Sequence, residues 1–115
     1  MAYNEMLTAR VRIALSGVRN VEEKRMFRGV VFMVGGKMCV TAGDDTIMCR
    51  IDPDLHDEAT KRKGCRTVMM KGGEYRGWVY VDGEGMKTKK QFDHWIGLAL
   101  DFNKRAKASK KRAGK

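Results

Sequence analysis

The chain has 115 residues, 43% of them hydrophobic and 33% charged, with one proline against 13 glycines. That length fits a single domain with one ordinary core, and the composition argues for real turns over a disordered chain. The net charge of +10 suggests an acidic partner until it is divided along the chain. Lys104, Arg105, Lys107, Lys110, Lys111, Arg112 and Lys115 supply most of it, and the body before residue 104 has only a small excess of bases over its 14 acids.

Residues 4–16 carry Met6, Leu7, Val11, Ala14 and Leu15 at helical spacing, with Asn4 placed to cap and Gly17 just past the end. A first amphipathic helix is expected, followed by a polar connection over residues 18–24. The β-rich run Val30-Val31-Phe32-Met33-Val34 precedes Gly35-Gly36, a dipeptide suited to a tight hairpin. Lys37–Ala42 is the partner strand, Gly43-Asp44-Asp45 a second turn, and residues 46–51 a third strand.

Asp52-Pro53-Asp54 then supplies a helix cap, a proline at the first helical position and an acid in the first turn, and Lys61-Arg62-Lys63-Gly64 closes that helix. Two more strands are read at residues 67–70 and 77–81, around a turn over residues 71–76. Thr88-x-x-Gln91 is a capping-box pattern, and Phe92, Trp95, Ile96, Ala99 and Phe102 form one stripe of a last helix. The fold class expected is α+β in the order α-β-β-β-α-β-β-α, an antiparallel sheet with its helices packed mainly on one face. Residues 1–103 make the domain and residues 104–115 a basic tail.

Chemistry-bearing residues are explained by structural needs. Cys39, Cys49 and Cys65 lack a C-x-x-C pattern, and Cys65, between Gly64 and Arg66, is the one candidate for a reactive thiol. His56 and His94 have no ligand-like neighbours in sequence, and the methionines in or beside strands, Met26, Met33, Met38, Met48, Met69 and Met70, are assigned to packing. Turns and caps account for Asp44, Asp45, Asp52, Asp54, Asp57 and Glu58. No catalytic residues, cofactor or metal are expected, and the chain is read as a non-enzyme.

Two surfaces remain as candidates. Arg50 could pair with Asp52 at a sheet edge or offer its guanidinium to a partner. Trp78 and Tyr80 share one strand face and Val79 and Val81 the other, so either the aromatic pair is core or it is an interaction surface. The tail would attract phosphate backbones without sequence specificity, or serve only to solubilise. No apolar run approaches the roughly 18 residues that span a bilayer, and the N-terminus lacks an export signal, so the expected location is the cytoplasm.

The segments Lys24-Arg25-Met26-Phe27-Arg28-Gly29, Phe32-Met33-Val34-Gly35-Gly36-Lys37-Met38, Arg50-Ile51-Asp52-Pro53 and Gly77-Trp78-Val79-Tyr80-Val81-Asp82 resemble, in that order, the N-terminal domain of the TfoX/Sxy family of competence regulators. The likeness spans roughly residues 8–103. It implies the same α-β-β-β-α-β-β-α arrangement and a regulatory domain without catalytic residues, and it adds Met26 and Phe27 to Arg50, Trp78 and Tyr80 as candidate interaction positions. The chain departs from the family pattern at Arg28 and Cys39 and at the exit of the second helix. The function expected is a regulatory or adaptor domain, monomeric or homodimeric, that binds another protein, with no membrane partner. The alternative is a nucleic-acid-associated protein that uses the tail for non-specific phosphate contacts.

Overall fold

The computed structural model describes residues 5–26, 29–70 and 73–105. Among these the order is α1 (Glu5–Ala14), β1 (Val21–Met26), β2 (Gly29–Val34), β3 (Lys37–Ala42), β4 (Ile47–Arg50), α2 (His56–Thr60), β5 (Cys65–Met70), β6 (Gly73–Val81) and α3 (Lys89–Asn103). Short 3₁₀ turns, Pro53–Leu55 and Gly83–Met86, precede α2 and α3. The strands form one antiparallel sheet in the order β1-β2-β3-β4-β6-β5. The expected α+β class is therefore found, with one strand more than the sequence suggested.

The extra strand is β1, in the stretch read as a polar connection. It pairs with β2 along its whole length, from Val21↔Val34 to Met26↔Gly29. An edge strand has no need of an apolar alternation, and exposed charges such as Glu22, Glu23, Lys24 and Arg25 keep its open side from pairing with other chains. A second correction concerns residues 71–76, read as a turn: β6 already begins at Gly73.

One face of the sheet supplies the core. Val30, Phe32 and Val34 of β2, Ile47 and Cys49 of β4, and Val79 and Val81 of β6 alternate toward Leu7, Val11 and Leu15 of α1 and Phe92, Trp95, Ile96 and Ala99 of α3. All three helices pack on this face, as expected. The capping box forms as read: Thr88 Oγ1 accepts from the Gln91 N–H, and Gln91 Oε1 accepts from the Thr88 N–H, both at 3.1 Å. At the other end of α3 the buried Asn103 donates Nδ2 to the Val34 carbonyl at 3.2 Å, while Lys37 Nζ donates to the Asn103 carbonyl at 2.7 Å. Those two bonds fasten the helix end to the β2–β3 hairpin.

The methionines divide in a way the sequence did not suggest. Met86 is in the core, Met48 is buried on the opposite face, Met33 and Met38 are half-buried, and Met69 is 59% exposed. Strand membership alone does not bury a side chain: Val31, Thr41 and Met48, in the inner strands, are buried on the face away from the helices, while Met69, on the edge strand β5, is exposed.

Near the start of α3 two turns touch through glycines. Gly64 has φ +84°, and a Cβ there would collide with the Gly85 backbone and stand 2.6 Å from Asp82 Oδ1. Gly97, by contrast, lies within α3 with open space where a Cβ would go. Gly64→Ala is expected to lose about 2–4 kcal/mol of stability, and Gly97→Ala to gain about 0.5–1 kcal/mol. Urea unfolding of both variants checks the pair of signs.

Candidate interaction surface

Strand pairing places the family-like pieces together. Arg50 of β4 lies directly opposite Trp78 of β6, and Met48 opposite Tyr80, which in turn faces Arg66 of β5. Register carries this row across the sheet as Lys24, Val31, Thr41, Met48, Tyr80 and Arg66, all on the face turned away from the helices. The choice left open for β6 is thus decided: Val79 and Val81 are core, while Trp78 and Tyr80 are half-buried on the other face.

Each aromatic ring has a guanidinium beside it. The Arg50 Cζ is 5.3 Å from the Trp78 ring centroid and 5.7 Å from that of Phe102 in α3, and the Arg66 Cζ is 5.3 Å from the Tyr80 centroid. These distances are within the range of cation–π attraction. Burial pulls the Arg50 guanidinium below its ordinary value. β4 is an interior strand, so Arg50 is not at a sheet edge.

Asp52 has two tasks. Its Oδ1 accepts from the Asp54 N–H at 2.9 Å, capping the 3₁₀ turn, and its Oδ2 accepts from Arg105 Nη1 at 2.8 Å. The backbone bond first, and Arg105 second, hold the carboxyl below the usual carboxylate range. Arg105, read as part of the tail, is thereby tied to the domain, and its Cζ lies 5.5 Å from the Phe102 ring. Lys104 forms the C-cap of α3. The other five tail cations, Lys107, Lys110, Lys111, Arg112 and Lys115, lie outside the described residues, as does Phe27; Met26 is the last residue of β1.

What holds Trp78 in place is His56, a residue without ligand-like neighbours in sequence. Gly77 has φ +93° and breaks the β5–β6 ladder between Thr67 and Met69. Its carbonyl accepts from the Ile51 N–H at 2.7 Å, and its own N–H donates to His56 Nδ1 at 2.9 Å. Since Nδ1 accepts, the proton is on Nε2, which donates to Thr67 Oγ1 at 3.0 Å. The ring is almost wholly buried. The signal in the sequence was a glycine inside a strand-like run, but nothing there pointed to its partner. Asn103 had a clearer one, four residues beyond Ala99 on the apolar stripe of α3.

Several other titratable groups are paired within the fold. Arg76 binds Asp57 with two bonds of 3.1 Å, and Arg12 binds Glu23 with two of 2.7 Å. His94 packs edge-on to Trp95, and burial, with Arg62 secondary, holds it below its ordinary value. A groove of about 670 Å³ between α1 and α3 is lined by Ile13, Phe92, Ile96 and Leu100, with the Lys89–Asp93 pair at 2.6 Å on its rim. Among the described residues no three of His, Cys, Asp and Glu gather where they could hold a metal ion.

Cys65, the candidate reactive thiol, is buried, as are Cys39 and Cys49. Burial pushes the Cys65 thiol up to about 11 and Cys39 up to about 12, and it raises Cys49 as well. At pH 8 the folded chain should react with a thiol reagent far more slowly than the denatured chain, and fast native labelling of Cys65 would contradict this burial. His56→Ala leaves the Gly77 N–H buried without an acceptor and opens a void, so a loss of about 2–4 kcal/mol in urea unfolding is expected.

No helix among the described residues is long and apolar enough to cross a membrane. Neither the curated proteins nor the solved structures gave a significant match. The model of one family does match, the TfoX N-terminal domain, over residues 14–103. That span takes in the last residue of α1 and every later element, including the Arg50, Trp78 and Tyr80 surface and the His56 contact behind it, and so the chain belongs to the TfoX N-terminal domain family.

Proposed function

We propose that this chain is a non-enzymatic regulatory or adaptor domain of the TfoX type, working in the cytoplasm by binding another protein. The observation that carries the reading is the sheet face away from the helices, where Trp78 and Tyr80 stand half-buried beside the Arg50 and Arg66 guanidinium groups. Aromatic and arginine side chains are the residues that dominate binding energy at protein interfaces, because they bring large contact area and directional charge together. Membership of the family adds the regulatory half of the reading, with transcription and competence as the processes such domains serve.

The reading assigns the stability of the site to the interior and its binding to the outer face. Val79, Val81 and His56 keep β6 in place, while Trp78 and Tyr80 are available to a partner. A Trp78→Ala, Tyr80→Ala double variant should therefore keep a cooperative melting curve. In quantitative affinity capture from its own cells, it should lose at least tenfold of the specific protein retained by the unsubstituted chain, since removing such anchors costs about 2 kcal/mol or more. Capture of every retained protein at undiminished yield by the double variant would overturn the assignment. Unchanged transcript levels in cells lacking the chain, under conditions in which it is normally expressed, would overturn the regulatory half.

A further inference from the structure

Before residue 104 bases barely outnumber acids, yet the fold gathers them unevenly. α2 is left through Lys61, Arg62 and Lys63, and α3 is entered through Lys87, Lys89 and Lys90, more than twenty residues later in the chain. The glycine contact described above brings these two basic segments side by side. The Asp82 N–H donates to the Gly64 carbonyl at 2.8 Å, a Cβ on Gly85 would stand 2.9 Å from the Lys63 carbonyl, and Trp95 Nε1 donates to the Gly85 carbonyl at 2.9 Å.

The side chains follow the backbone. Lys63 and Lys87 approach the same carboxylate, Glu84, at 3.7 and 3.1 Å, and Arg66 approaches Asp82 at 3.8 Å. Arg62 lines a small hollow with His94, which is one helical turn beyond Lys90 on the same face of α3. Lys61, Arg62, Lys63, Arg66, Lys87, Lys89 and Lys90 are all exposed. The acids among them are Asp82, Glu84 and Asp93, with Glu58 at the edge of the Arg62 hollow.

Ion pairs within the fold engage Lys63, Arg66, Lys87 and Lys89, yet seven cations against these four acids leave the surface basic. Lys89 and Lys90 open α3, where the helix dipole disfavours cations, and the capping box uses neutral Gln91 in place of an acid. Apart from Arg66, which adjoins the Tyr80 ring, the charges stand on two turns and the first turn of α3, an arrangement that suits phosphate groups better than stacked bases. The adjoining hollow holds only about 140 Å³, below the roughly 300 Å³ at which small-molecule pockets begin, so the cluster is a surface for an extended ligand.

We propose that this cluster, built by the body of the domain, docks the phosphate backbone of duplex nucleic acid without reading its sequence. The cluster shares Arg66, which stands beside Tyr80, with the protein-binding surface and is otherwise separate from it, and the inference differs from the expectation that placed nucleic-acid contact in the tail.

The test uses the full chain and a short duplex of mixed sequence, with fluorescence anisotropy measured over a range of salt. One variant carries Lys61→Gln, Arg62→Gln, Lys63→Gln and Lys90→Gln. A second removes the same charge from the tail by Lys107→Gln, Lys110→Gln, Lys111→Gln and Arg112→Gln. The first variant should bind at least tenfold more weakly, and its slope of log affinity against log salt should fall by up to about 3.6, near 0.9 for each of the four phosphates that are no longer neutralised. A third variant, Lys61→Arg, Lys63→Arg and Lys90→Arg, should bind as the unsubstituted chain does. In the unsubstituted chain, duplex should also shield Lys61, Lys63 and Lys90 from acetylation read by mass spectrometry, a measurement that needs no variant to fold. Full affinity in the first variant with loss only in the second, absence of shielding, or binding to phosphatidylserine vesicles but not to the duplex would each overturn the proposal.

Discussion

The hydrogen bond from the Gly77 N–H to His56 Nδ1 is the contact on which the outer half of the sheet depends. β6 leaves the regular ladder with β5 at Gly77, the residue that tolerates φ +93°. A break of that kind normally leaves a buried donor unsatisfied, at a penalty comparable to that of a broken hydrogen bond. His56 removes the penalty because α2 begins at this position; the Gly77 N–H, which can only donate, fixes Nδ1 as the acceptor, and Thr67 Oγ1 accepts the Nε2 proton. From that point the residues alternate correctly, Val79 and Val81 inward and Trp78 and Tyr80 outward. The candidate surface is thus a consequence of a buried imidazole.

The same economy of placement links the family-like segments. Arg50-Ile51-Asp52-Pro53 and Gly77-Trp78 are adjoining segments, joined by the Ile51 N–H to the Gly77 carbonyl as well as by the stacking of Arg50 near Trp78. Phe102 and Arg105 reach the site from the end of α3, and Asp52 connects them to the 3₁₀ turn. An arginine held between rings loses hydration but keeps a directional face, which suits it to recognition better than a freely moving lysine. The charges of the domain are arranged with similar locality: one basic group beside aromatic rings on the sheet, and another on the glycine-packed turns before α3.

Much of the fold was legible in the residues. The glycine pair at 35 and 36, the Asp-Pro-Asp entry to the second helical segment, the Thr88 capping box and the apolar stripe of α3 each act within a few residues, and each forms where the sequence places it. The missing strand shows the limit. β1 has the charged composition of a connection because an edge strand is stabilised by the backbone of its neighbour, not by its own side chains. The site was half legible: Arg50, Trp78 and Tyr80 were visible as residue types, but the Asp52 bond to Arg105, the role of Asn103 and the burial of Cys65 were not, since each joins segments far apart in the chain.

What the sequence determined alone is the set of local choices: where the chain turns, where helices start, and which residues avoid water. Those depend on dihedral preferences and on apolar periodicity, both properties of a short window. The tertiary structure decided which face of β6 became core, which nitrogen of His56 carries a proton, and which cations became neighbours. These depend on register and on contacts between distant segments, and a period of two along a strand assigns two faces without saying which one the helices will cover.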